Sequence, residues 1–173
     1  SGKKIRQLIC GSANIDFINF SNDFIEGYKL AGKVGTYDRY KSVLQKLKDY
    51  IADKPLYFSD IDVEFLIQYE RHLIQKHNNR TNTIHANMKV FRRIFSAAFE
   101  RNLIEISDSP FLKYKLKTEK TVKPFLTEDE LKTFEEVDLT NKPLLQDARD
   151  MFVWSCYAGG LRISDLLLLK WAN

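Results

Sequence analysis

The residues best suited to chemistry lie together near the end of the chain, in Gly159-Gly160-Leu161-Arg162-Ile163-Ser164-Asp165. Two glycines can end one helix, and Ser164 can cap the next. Such a bend sets Arg162 beside a helix N-terminus, where unpaired backbone N–H groups and the helix dipole favour an anion. A guanidinium there can hold a phosphate through two parallel hydrogen bonds. The same residues also fit a plain surface turn in which Arg162 pairs with Asp165. Other chemistry has little support. His72, His77 and His85 are too scattered for a ligand set, and Cys10 and Cys156 lack a partner at metal-ligand spacing, so neither metal nor cofactor is expected. Gly159-Gly160 is too short for a phosphate-cradling loop ending in Lys-Ser/Thr.

The elements around this bend read as helices. The chain has 173 residues, 44% of them hydrophobic, with only 7 Gly and 4 Pro, few for a sandwich or barrel. That length suits one domain plus part of another. Apolar residues recur at helical spacing from Ile15 through Phe17, Phe20, Phe24 and Tyr28 to Leu30. Gly32 and Gly35 are expected to break this helix and Thr36 to cap a second, whose stripe is Tyr37, Tyr40, Leu44, Leu47 and Ile51. A third begins near Ser59-Asp60-Ile61-Asp62 and carries Phe65, Leu66, Tyr69, Leu73 and Ile74. The fourth places Ile84, Met88, Phe91, Phe95 and Ala98 on one face and His85, Lys89, Arg92, Arg93 and Ser96 on another. The aromatic residues Phe17, Phe20, Phe24, Tyr40, Phe91 and Phe95 are therefore core candidates rather than stacking platforms.

These four helices predict an all-α bundle over residues 12–106, behind an N-terminal extension of 1–11. Residues 107–124 lose the periodicity and read as an extended basic linker. Between Pro110 and Pro124, Lys113, Lys115, Lys117, Lys120 and Lys123 face only Glu119. A second unit, 125–173, opens with a capping box of Thr127 and Glu130. It continues in a helix with Pro143 near its first turn and ends in one running from Asp165 to Trp171.

Charge divides along the same line. The first 124 residues hold 22 basic and 14 acidic side chains, a balance of +8, and the remainder carries 5 and 9, a balance of −4. A basic module able to meet a polyanion is one reading; solvated lysines on an interaction module are another. No apolar run approaches the roughly 18 residues that span a bilayer. No secretion signal follows Ser1-Gly2-Lys3-Lys4, and the cysteines fit a reduced cytoplasmic setting. A start other than Met and an end inside a packed helix predict a processed or engineered chain, cut from something longer.

Gly160-Leu161-Arg162-Ile163-Ser164-Asp165-Leu166, followed by Leu-rich sequence ending in Lys170-Trp171, resembles the first catalytic-arginine motif of tyrosine-type site-specific recombinases, the phage integrase family. Leu126-Thr127 resembles the opening of their catalytic domain. Gly35-Thr36-Tyr37-Asp38-Arg39-Tyr40, Asn82-Thr83-Ile84-His85-Ala86-Asn87 and Ser109-Pro110-Phe111 resemble segments of their SAM-like core-binding domain. The style is close to integrases of Bacteroides-like mobile elements.

The resemblance implies a four-helix SAM-like core-binding bundle followed by the first helices of a truncated mixed α/β catalytic domain. It implies that Arg162 contacts the scissile phosphate while a tyrosine attacks, through a 3'-phosphotyrosine intermediate, and that Asp165 and Ser164 support the turn. None of the 8 tyrosines follows Arg162, so the chain as given is expected to bind DNA without cleaving it. Double-stranded DNA at an attachment or core site is the implied partner, with self-association on DNA in the full-length protein. The surface candidates for DNA contact are Thr36, Arg39 and Lys41 on the second helix. On the fourth they are Thr83, His85, Asn87, Lys89, Arg92 and Arg93, and in the linker Lys113, Lys115, Lys117 and Lys123. Asn87 and Arg92 are the candidates for reading base edges, the others for holding phosphates. A non-catalytic helical DNA-binding regulator or accessory factor is the alternative.

Overall fold

A computed structural model of the protein describes residues 15–170. The expected N-terminal extension, Cys10 and Trp171 lie outside them, and the last helix ends at Leu166 instead of continuing toward Trp171 as expected. The described residues divide into two compact units, one ending at Lys120 and the other starting at Thr121. Both are helical, and among the described residues β pairing is limited to an isolated bridge between Asp16 and Tyr57.

The first unit holds α1 (Phe17–Leu30), α2 (Val34–Ile51), α3 (Val63–His77) and α4 (Thr81–Glu100). Local chemistry starts two of them. The Asp16 carboxylate accepts the Asn19 N–H at 2.8 Å, and the Asp62 carboxylate accepts that of Phe65 at 2.7 Å. The start of α2 departs from expectation. Gly32, at φ +71, makes the turn alone, and Lys33 becomes the N-cap. Gly35 and Thr36 therefore lie inside the first turn, where the Thr36 N–H already bonds to the Lys33 carbonyl at 3.1 Å.

The core is built on rings. Phe17 sits edge-on to Phe58 and Phe91, with centroids 5.0 and 5.7 Å away, and Tyr69 stacks on Phe91 at 5.4 Å. Leu44, Leu47, Leu66, Leu73 and Met88 are fully buried around them. Phe24 and Tyr40 pack at the margin of this core, so the aromatic residues are packing elements as their spacing predicts.

Beyond α4 the chain makes short 3-10 turns at Ile106–Asp108 and Pro110–Leu112 and then runs extended. This stretch is a docked strap rather than a free tether. The Phe111 ring lies 5.7 Å from Phe95 and 6.1 Å from Tyr114, continuing the core's ring contacts outward. The Tyr114 hydroxyl donates to Glu70 Oε2 at 2.7 Å, and Lys117 Nζ lies 3.8 Å from the same carboxylate. Tyr114 and Leu116 are half-buried against the bundle.

The second unit contains α5 (Glu128–Glu135), α6 (Pro143–Tyr157) and α7 (Ile163–Leu166). Thr127 and Glu130 form the expected capping box, and Pro143 opens α6. No side chain of these three helices is fully buried.

Tyr114→Phe removes a hydrogen bond to a carboxylate, so it costs about 1–2 kcal/mol of stability in a urea titration. Burial, and then the bond to Glu70, raise the Tyr114 hydroxyl above its ordinary range. Its neutral form is thus favoured by folding, and this contribution holds below pH ~10 and fades as pH rises further. Alkaline titration of Tyr114→Phe lacks that component; identical curves for the two proteins contradict the contact.

Candidate nucleic-acid interface

Two rows of side chains on α4 decide which of its residues face outward. Ile84, Met88, Phe91, Phe95 and Ala98 form the expected buried row. A second row, Asn87, Val90, Ile94 and Ala97, is buried beside it, at the same three- and four-residue spacing. Asn87 is only 6% exposed. Its side chain therefore belongs to the buried arc, which argues against the expected role in reading base edges.

The remaining arc is basic. His85, Lys89, Arg92, Arg93 and Ser96 of α4 meet Phe111, Tyr114, Lys115 and Leu116 of the strap around an open groove of about 650 Å³. Lys89, Arg92 and Lys115 are exposed cations on its walls. Arg93 is more constrained. Its Nη1 donates to Glu100 Oε1 at 2.7 Å, which raises its affinity for its proton, and its guanidinium lies 5.6 Å from the Phe24 ring. His85 is half-buried, with Nδ1 3.1 Å from the Lys117 carbonyl. A carbonyl only accepts, so Nδ1 carries the proton, and His85 serves to hold the strap.

The other sequence candidates are dispersed. Arg39 of α2 reaches across to donate to the Ala86 carbonyl of α4 at 3.3 Å. Lys41 stands 5.8 Å from the Tyr37 ring and lines a separate small cavity of about 140 Å³. Thr36 is half-buried, and Thr83 is exposed in the first turn of α4. Lys113 is exposed on the strap, Lys117 leans toward Glu70, and Lys123 falls in the second unit. Sequence reasoning missed Glu70, Phe111, Tyr114 and Glu119 as builders of this surface. The signal was present in Phe111, Tyr114 and Leu116, which interrupt the lysines at spacings of three and two.

In the second unit, α6 ends through Gly159 and Gly160, at φ +77 and +82, conformations that favour glycine. The Gly160 N–H bonds back to the Ser155 carbonyl at 2.8 Å, and Ser155 Oγ donates to the Leu161 carbonyl at 2.5 Å. Arg162 follows, exposed, as the N-cap of α7. The cap expected at Ser164 is thus two residues too late. Arg162 has extended backbone angles, and its carbonyl receives the N–H groups of Asp165 and Leu166, both at 2.9 Å. Among the described residues no Arg162–Asp165 ion pair forms; the Asp165 carboxylate instead lies 3.4 Å from Ser164 Oγ. The turn is held by backbone and Ser155 bonds.

Cys156 is an exposed free thiol. Among the described residues no cluster of three or more metal-ligating side chains occurs, and no helix is long and apolar enough to cross a membrane.

Comparison with known proteins locates this architecture. The family model of the phage integrase SAM-like domain matches residues 16–116, a span that runs from the cap of α1 through the strap to Leu116. Tyrosine recombinase XerC of Pelotomaculum thermopropionicum is 32% identical over 141 residues, covering 78% of this chain and 45% of that protein. The chain therefore spans less than half the length of this curated relative. No solved structure matches.

The buried placement of Asn87 and the exposed placement of Lys89 separate their roles. Lys89→Ala weakens binding of a polyanionic duplex severalfold in fluorescence anisotropy, and Asn87→Ala leaves it unchanged. A larger loss at Asn87 contradicts its assignment to the buried arc.

Proposed function

Because the chain belongs to the tyrosine recombinase (phage integrase) family, we propose that its first unit grips double-stranded DNA for site-specific recombination. The observation that carries this reading is the basic groove between α4 and the strap. Its apolar lining, Phe111, Tyr114 and Leu116, packs against the core, and its exposed cations are Lys89, Arg92 and Lys115 beside the Glu100-paired Arg93. Such a surface holds phosphates in register without reading sequence, while Arg92 has the fork geometry to address a guanine edge. Lys113 extends the same charge along the strap.

The second unit contributes Arg162 to the chemistry of strand exchange. In the intact protein a tyrosine attacks the scissile phosphodiester, forming a 3'-phosphotyrosine bond as the 5'-hydroxyl leaves. The DNA strand is rejoined by the reverse displacement. Attack adds negative charge to the non-bridging oxygens, and a guanidinium fixed at the mouth of the glycine turn offsets it. The exposure of Arg162 and its position at a backbone-held turn support this role. The absence of fully buried side chains in α5 to α7 fits helices that form part of a larger catalytic domain. Self-association on the DNA site belongs to the same reading.

Phosphate-dominated binding by Lys89, Arg92, Lys113 and Lys115 gives a slope of log K against log salt of about −3.6. Changing Lys113, Lys115 and Lys117 together to Ala makes that slope shallower and weakens binding to unrelated sequences alike; a loss confined to one base position contradicts a phosphate role. In the protein carrying its complete catalytic domain, Arg162→Ala lowers strand cleavage by about 100-fold or more and leaves site binding intact. Cleavage at the wild-type rate removes Arg162 from the active site.

A further inference from the structure

Glu119 is out of place in a DNA-gripping strap. It is the one acid between Pro110 and Pro124, among Lys113, Lys115, Lys117, Lys120 and Lys123. By charge alone it repels a phosphate backbone. Yet it is bonded to α4 through three contacts. Its Oε1 accepts from Thr81 Oγ1 at 2.5 Å, its backbone N–H donates to Asn82 Oδ1 at 3.0 Å, and its carbonyl accepts from Asn82 Nδ2 at 2.9 Å. Thr81 and Asn82 form the first turn of α4, whose N-cap residue Arg80 makes no side-chain capping bond. A carboxylate at that end is favoured by the helix dipole.

Glu119 is one of two anchors. At the other end of the strap, Phe111 packs on Phe95 and the Tyr114 hydroxyl binds Glu70. Between the anchors lie Lys115 and Leu116, which wall the basic groove, and the Lys117 carbonyl that holds His85. A segment fastened at both ends has already lost its conformational freedom before a ligand arrives, so binding need not remove it.

We propose that Glu119 is a positioning residue for DNA binding: its clasp on Thr81 and Asn82 holds the strap against α4 and so builds one wall of the basic groove. The proposal rests on the reading of that groove as a DNA surface. It reverses the sign expected from charge, because an acidic side chain here strengthens binding to a polyanion. The backbone bonds to Asn82 hold this part of the strap, and the carboxylate bond to Thr81 fixes the side chain that locks it.

The test uses the full chain, a fluorescein-labelled duplex of mixed sequence, and amide hydrogen exchange across residues 114–120. Glu119→Ala binds the duplex about tenfold more weakly, and its strap amides exchange faster. Glu119→Gln keeps an acceptor for Thr81 while losing the charge, so it binds as tightly as wild type or more so. Thr81→Val, which removes the donor without altering strap charge, weakens binding in the same direction as Glu119→Ala. Wild-type or tighter binding by Glu119→Ala overturns the proposal and leaves Glu119 a repulsive surface charge. If the wild-type chain fails to bind duplex DNA while strap exchange still responds to Glu119→Ala, the DNA reading fails and the clasp is purely structural, which equally overturns the proposal.

Discussion

The packing of α4 is the constraint from which the rest of the first unit follows. Two adjacent rows of this helix, running from Ile84 to Ala98 and from Asn87 to Ala97, are buried against the ring cluster of Phe17, Phe58 and Tyr69. With those rows committed, the rotation of the helix about its axis is fixed. His85, Lys89, Arg92 and Ser96 then have to face outward. Slipping the helix by one residue would bury cations and expose Phe91, at a cost far above the stability of a small domain. The basic surface is thus held in place by the apolar surface behind it.

The strap uses the same logic at smaller scale. Phe111 extends the ring contacts of the core outward to Tyr114, and Tyr114 meets the half-buried carboxylate of Glu70. A lysine-rich stretch would otherwise repel itself into an open coil. Spaced apolar residues and one acid bring it down onto α4, so that like charges share a groove. The family match extends through Leu116, which treats the strap as part of the domain rather than as a connector.

Much of this was legible in the sequence because it is local. The 3.6-residue period revealed four helices, and the aromatic spacing identified the core. Thr127 and Glu130, three residues apart, announced their capping box. What stayed hidden depends on distant partners or on a second periodicity. Tyr114 and Glu70 are 44 residues apart, and Glu119 and Thr81 are 38 apart, so no local pattern joins them. Asn87 is polar and stands outside the Ile84–Ala98 stripe, and only the burial of Val90, Ile94 and Ala97 places it on the inner arc. At the glycine turn before α7, the two glycines and the exposed arginine were readable. The cap at Arg162 rather than Ser164 was not, because Leu161 is held by Ser155 from the preceding helix.

The central claim is that the outward face of α4 and the docked strap together meet the DNA backbone. Lysine-reactive footprinting of the full chain, with and without duplex DNA and read residue by residue in a mass spectrometer, addresses it most directly. The account predicts that Lys89, Lys113 and Lys115 lose reactivity when the duplex is added and recover it when salt is raised. Shielding of other lysines, with these three as reactive as in the free protein, would contradict it.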